Sequence, residues 1–139
     1  MGIVYVDITI LNSVDATLAR QGDLPKENVR KIEVKSLVDT GAWTLTINEE
    51  IAKQLGLKVM YQTDATLADG TVSQCDIVGP VDIRFENRMT SCPALMLPGA
   101  DEVLLGAVPL ELMDVMIDPR MHRLVVHPSR PDVAQTKVK

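Results

Sequence analysis

At 139 residues the chain has the size of one domain, and its 46% hydrophobic content supplies a sizeable core. Aromatic residues make up only 3%, so that core is built from Val, Ile, Leu and Met. A net charge of -5 without a basic cluster in the sequence argues against nucleic acid or an anionic membrane as partner.

The opening MGIVYVDITIL has no basic start and is broken by Asp7, so it reads as a strand over residues 3–11 and not as a targeting segment. Residues 12–30 are polar, with turn signals at Gly22-Asp23 and Pro25, and read as a loop with at most a short helical turn. Residues 31–38 (KIEVKSLV) alternate and then become apolar, as a strand does on entering a core. Thr44–Ile47 is a short β-branched strand. Asn48 is an N-cap, Glu49 and Glu50 occupy the first helical turn and Gly56 fits the C′ position, which predicts a helix over 49–55.

Residues 58–78 read as a hairpin with a type I′ turn at Asp69-Gly70. Val81–Phe85 and Ala94–Leu97 make a second strand pair, and Val103–Leu105 is a short strand ending at Gly106. Pro109 suits the first turn of a helix over 108–113. Val115–Ile117 and Leu124–Val126 close the domain around a turn containing Pro119, and residues 128–139 form a polar, mobile tail. The expected domain is therefore 1–127, mainly β, a barrel or sandwich with one or two short helices. The apolar run from Val103 to Ile117 is interrupted by Pro109, Glu111 and Asp114, so no segment spans a bilayer. Cys75 and Cys92 make no disulfide framework; they read as buried free thiols of a cytoplasmic protein, with a single bridge as the alternative.

Chemistry concentrates in Asp39-Thr40-Gly41-Ala42, entered from the apolar pair Leu37-Val38. A strand running into Asp-Thr-Gly presents a carboxylate on a tight loop, with Gly41 allowing close backbone approach. Two carboxylates about 3 Å apart can hydrolyse a peptide bond without metal or covalent intermediate, one ionised as base and one protonated as acid. Average residue usage produces Asp-Thr-Gly by chance in about 2% of chains this long, so the tripeptide alone does not decide the matter.

Four segments in order carry a resemblance: LVDTGA (37–42), NEEIAKQLGL (48–57), TLADGTVSQCDIV (66–78) and VLLGAVPLELMDVMID (103–118). Over roughly residues 31–127 the chain resembles the retropepsin-like aspartic peptidases, the retroviral proteases and their small bacterial relatives. The resemblance implies half of an acid-protease fold, a closed β-barrel that dimerises about a two-fold axis. It implies Asp39 as the catalytic acid, Thr40, Gly41 and Ala42 as its loop, and the hairpin around Ala68, Asp69 and Gly70 as a flap over a peptide or protein substrate. Beside this loop Trp43 either lines a substrate subsite or plugs a core short of aromatics, and Leu104 and Leu105 read as core that would also wall the substrate pocket. The chain has no second Asp-Thr-Gly or Asp-Ser-Gly, so the second carboxylate is expected from another copy of the chain, in an isologous dimer.

Four features depart from the family pattern. Trp43 stands where a small polar or acidic residue is usual, and Ala107-Val108 follow Gly106 where retroviral enzymes carry a pairing Arg. The flap tip is poor in glycine, and residues 1–30 and those after 127 exceed the minimal retroviral unit. These departures motivate an alternative, a catalytically idle binding or dimerisation module. His122 and His127 lack an HExxH or Cys/His context, so no metal is expected, and no cofactor is required.

Overall fold

In the computed structural model, which describes residues 2–138, six strands close into a barrel. Met1 and Lys139, the outer ends of the ranges read as domain and tail, lie outside the described residues. The strands are β1 (Tyr5–Asn12), β2 (Lys31–Val38), β3 (Leu45–Ile47), β4 (Lys58–Thr66), β5 (Val72–Phe85), β6 (Arg88–Met96) and β7 (Val103–Leu105). Their order is β1-β2-β7-β3-β6-β5, with β1 pairing back onto β5 to close the ring, and β4 extending beyond β5 as the outer arm of a hairpin. Strands β8 (Val115–Asp118) and β9 (Arg123–Val126) form a separate two-stranded sheet.

The interior is filled as the composition requires. Ile10, Leu45, Ile47, Val81, Ile83, Ala94 and Leu105 are fully buried, and Phe85 is the one phenylalanine in the cluster. Alternation sends every second residue of β5 inward, and a register shift between Val78 and Val81 re-aims the strand midway. This shift lets a single long strand serve both the β4–β5 hairpin and the barrel, where the sequence reads as two strands.

Three α-helices accompany the barrel. α1 (Ser13–Arg20) occupies the segment expected to be a loop. Asn12 caps it by accepting from the Asp15 amide at 3.0 Å, Asp15 lies in its first turn and Arg20 in its last. Arg30 clamps this helix, donating Nε to Asp15 Oδ2 at 2.8 Å and Nη2 to Oδ1 at 3.0 Å. α2 (Glu49–Gln54) has the expected Asn48 cap, which accepts from the Ile51 amide at 3.0 Å. α3 (Ala107–Met113) begins at Gly106 and ends at Asp114, which takes the left-handed conformation with φ 55°.

The segment read as a mobile tail makes contacts from Arg130 to Gln135. Arg130 Nε meets Asp114 Oδ2 at 2.6 Å, the Gln135 amide donates to the same carboxylate at 3.1 Å, and Asn87 Nδ2 donates to the Pro131 carbonyl at 2.7 Å. Buried Arg88 donates through Nη2 to the Arg130 carbonyl. No described helix is long and apolar enough to cross a membrane.

Candidate active site

Parallel pairing of β2 with β7 assembles the site. Leu37 stands opposite Leu104 and Val38 opposite Leu105, so segments more than sixty residues apart in the chain end side by side. Asp39 is the first residue beyond β2. Its amide donates to the Leu105 carbonyl at 3.0 Å, continuing the β2–β7 ladder by one bond. The chain then turns, the Ala42 amide donating to the Asp39 carbonyl at 3.1 Å. Asp39 Oδ1 accepts from the Gly41 amide at 2.9 Å, which fixes the carboxylate over its own loop.

The other wall of the loop is the start of α3. The Ala107 amide donates to the Ala42 carbonyl at 2.8 Å and the Val108 amide to the Trp43 carbonyl at 3.0 Å. This contact requires Gly106, because a Cβ there would lie 2.4 Å from the Thr44 carbonyl oxygen and 2.6 Å from that of Ala42. Thr44 is buried and its hydroxyl donates to the Pro93 carbonyl at 2.7 Å, tying the loop to β6.

A cavity of about 700 Å³ opens over this loop, within the range typical of ligand sites. Asp39, Gly41, Ala42, Trp43 and Leu104 line it from the barrel, and Ala68 from the hairpin. Trp43 is 50% exposed, so it does not act as a core filler. Thr40 is exposed on the loop and lies outside the lining. Leu105 is fully buried and contributes its backbone carbonyl to Asp39 while its side chain joins the core. Alternation along β7 separates the two leucines, Leu104 toward the cavity and Leu105 into the barrel.

Asp69 and Gly70 sit at the hairpin tip, beyond the cavity lining. The tip is not a type I′ turn. Only Gly70 has positive φ, at 86°, whereas type I′ would require it of Asp69 as well. The loop is instead three residues long, Ala68 to Gly70, closed by the Leu67 amide donating to the Thr71 carbonyl at 2.8 Å. Asp69 Oδ1 accepts from the Thr71 amide at 2.9 Å and its hydroxyl at 2.6 Å, and these bonds hold its carboxyl below the usual carboxylate range.

Sequence reading did not single out Thr46, Leu95 and Leu97 on the barrel side, or Thr63 and Asp64 on β4, all of which line the cavity. Leu95 carried a detectable signal, since it lies in a short apolar run, but nothing in the sequence marks which face of β6 it occupies. No salt bridge among the described residues involves Asp39, and no group of His, Cys, Asp or Glu among them could hold a metal ion. Cys75 and Cys92 are both free and buried, and burial pushes the Cys92 thiol up.

A family model described as aspartyl protease matches residues 27–108, spanning the Asp39 loop, the hairpin and the Leu104-Leu105-Gly106 segment. The chain belongs to the aspartyl protease family. No curated protein matches this chain. Among solved structures, the retroviral protease-like domain of Ddi1 from Leishmania major superposes with a TM-score of 0.57 at 18% identity, covering 92% of this chain and 90% of that one. This likeness establishes the fold as retropepsin-like, a closed β-barrel. Looser likenesses are a retropepsin-like aspartic protease from Rickettsia conorii (TM-score 0.43, 16% identity, 85% of this chain and 89% of that one) and the EIAV protease complexed with the inhibitor HBY-793 (0.41, 21%, 57% and 75%).

Proposed function

We propose that the protein is a homodimeric aspartic endopeptidase in which Asp39 of two copies forms the catalytic dyad. The observation that carries this reading is the Asp39 carboxylate, held by the Gly41 amide, in the wall of a large cavity between the barrel and the hairpin. Family membership supplies the reaction class. The exposed Thr40-Gly41 edge of the loop leaves room for the same loop of a second copy to face it.

In that dimer the two carboxylates share one proton. The ionised member takes a proton from water, which attacks the peptide carbonyl carbon. The protonated member gives its proton to the carbonyl oxygen; on collapse of the tetrahedral diol it takes a hydroxyl proton back while the other carboxyl passes the proton taken from water to the amide nitrogen, so that the C–N bond breaks and a neutral amine leaves. Leu104 and Trp43 would accept apolar substrate side chains. The hairpin, with Ala68 in the lining and Asp69-Gly70 at its tip, would close over the peptide and exclude water. Free buried thiols fit action in the cytoplasm.

The test is cleavage of a peptide library by the parent chain and by Asp39→Asn, with sedimentation of both. A loss of about 10³-fold or more in cleavage, together with a dimer, is the expected result. Intact activity in Asp39→Asn, or a strict monomer that still cleaves, refutes it. The half-exposed Trp43 and, among the described residues, the absence of a salt bridge to the Asp39 loop favour one second reading, an idle protease-fold binding module. Calorimetry against statine-type transition-state mimics separates the two, because only a competent dyad binds them.

A further inference from the structure

A second cavity, of about 340 Å³, lies where α1 and the segment before β2 meet the outer face of the barrel. It is remote from the first. Lys31 in its wall opens β2, while Asp39 follows the last residue of that eight-residue strand. At ~3.3 Å per residue, about 25 Å separate them.

Its rim is cationic. Arg20, Lys26, Lys31 and Arg84 line it, no acidic residue does, and all four side chains are exposed. Among the described residues only Arg20 has an acidic neighbour within ion-pair range, the buried Asp82 at 3.8 Å, and the other three form no salt bridge. The floor is apolar, with Leu11, Val29 and Met89, and Met89 is 49% exposed. The four cations are spread from position 20 to position 84, so no basic run announces them; the β1–β2 and β1–β5 pairings bring Lys31 and Arg84 together. In a chain with 14 basic and 19 acidic residues, this is a local reversal of sign. Cations crowded at one mouth repel one another, and a bound anion relieves that repulsion.

We propose that this cavity docks an acidic protein segment carrying one apolar anchor residue. The anchor fills the floor over Leu11 and Met89, and flanking carboxylates meet the lysines and arginines of the rim. Pocketed apolar anchors ringed by complementary charge are how small interfaces gain affinity and register. A nucleic acid fits less well. No aromatic side chain lines the cavity to stack a base, and the net charge of -5 repels a long polyanion beyond the rim. Because the two cavities are separate, an occupant here leaves the Asp39 loop accessible, and the inference does not rest on the peptidase reading.

The experiment is fluorescence anisotropy with the full chain in an Asp39→Asn background, so that no probe is lost to cleavage. The probe is a short labelled peptide of glutamates around one leucine. Controls are the same peptide with Leu→Ser, with all Glu→Lys, and a single-stranded oligonucleotide of equal charge. Two protein variants, Lys26→Glu/Arg84→Glu and the milder Lys26→Gln/Arg84→Gln, are checked by thermal melting; the second serves if the first does not fold. The proposal expects saturable binding of the glutamate–leucine peptide, weakened at least about tenfold by Leu→Ser and by either variant, and weakened by added salt. Absence of binding, equal binding of the lysine peptide, or binding indifferent to the variants overturns it. Tighter binding of the oligonucleotide overturns the choice of a protein occupant.

Discussion

Gly106 and Thr44 approach so closely that a Cβ on Gly106 would lie 2.4 Å from the Thr44 carbonyl oxygen. The obstructing atoms are backbone, so no rotamer change relieves them. Gly106→Ala must push the 39–44 loop away from the start of α3 and stretch the bonds from the Ala107 and Val108 amides. The expected cost is about 1–3 kcal/mol, as for overpacking elsewhere. Urea unfolding reads it as a lowered midpoint at unchanged slope, and on the peptidase reading peptide cleavage should fall further than stability does.

Trp43 tests the wall of the cavity. At 50% exposure its side chain contributes little to the core, so Trp43→Ala should change stability by about 1 kcal/mol or less. On the peptidase reading it should raise KM for substrates with a large apolar residue beside the scissile bond while leaving kcat nearly unchanged. Steady-state kinetics paired with a thermal melt separates the two effects.

Acid stability should depend on two carboxylates outside the lining of the Asp39 cavity. Hydrogen bonds from Arg130 hold the Asp114 carboxyl well below the ordinary aspartate value of 3.8, and hydrogen bonds from Arg30 lower that of Asp15. Folded values below the unfolded value mean that both pairs stabilise the protein above about pH 4, and that this contribution is lost as the pH falls further. Asp114→Asn keeps a residue tolerant of the left-handed φ of 55° while removing the charge. Its Tm should lie below that of the parent at pH 7, and the gap should close on acidification. Melting curves between neutral and acid pH give the answer directly.

Arg88 pins the segment after β9. It is 2% exposed, holds the Arg130 carbonyl, and leaves Nε and Nη1 without a hydrogen-bond partner among the described residues. Replacing it with Met removes one bond and two unpaired donors while keeping much of the volume. Global stability should therefore change by less than ~1.5 kcal/mol. Residues 128–135 should become more sensitive to limited proteolysis, read by mass spectrometry.

Both thiols should be inert in the folded protein. Cys75 and Cys92 are each 4% exposed, and burial pushes the Cys92 thiol away from its reactive thiolate form. Iodoacetamide at neutral pH should label neither before denaturation and both after it.

Much of the barrel was legible in the sequence because its strands obey a simple periodicity. Residues 31–38 were bounded correctly, and the Asn48 cap and Pro109 located α2 and α3 to within a residue or so. α1 was not legible because its buried face is Ser13, Asp15 and Ala16, small or polar residues that leave no apolar stripe. Its one signal was Asn12 followed by Asp15, a cap without a hydrophobic run behind it. The hairpin tip was mistaken because Asp69-Gly70 suits a two-residue turn, whereas the Leu67–Thr71 pairing sets a three-residue loop. The cavity was half legible. Asp39, Ala42, Trp43 and Leu104 came from motif and neighbourhood, while Thr46, Thr63, Asp64, Leu95 and Leu97 became visible only once strands distant in sequence were placed together.

By itself the sequence determined the loop chemistry, since an apolar strand entering Asp39-Thr40-Gly41 puts a carboxylate on a glycine turn wherever it folds. It also shows one such motif within these 139 residues. Tertiary structure decided what surrounds that carboxylate. Parallel β2–β7 pairing sets Leu104 in the cavity and Leu105 in the core, and Gly106 lets α3 close on the loop, because these depend on which strands hydrogen-bond and not on any local preference. The same pairing logic gathered four scattered cations into one rim on an acidic protein, a feature of the folded surface that no reading along the chain contains.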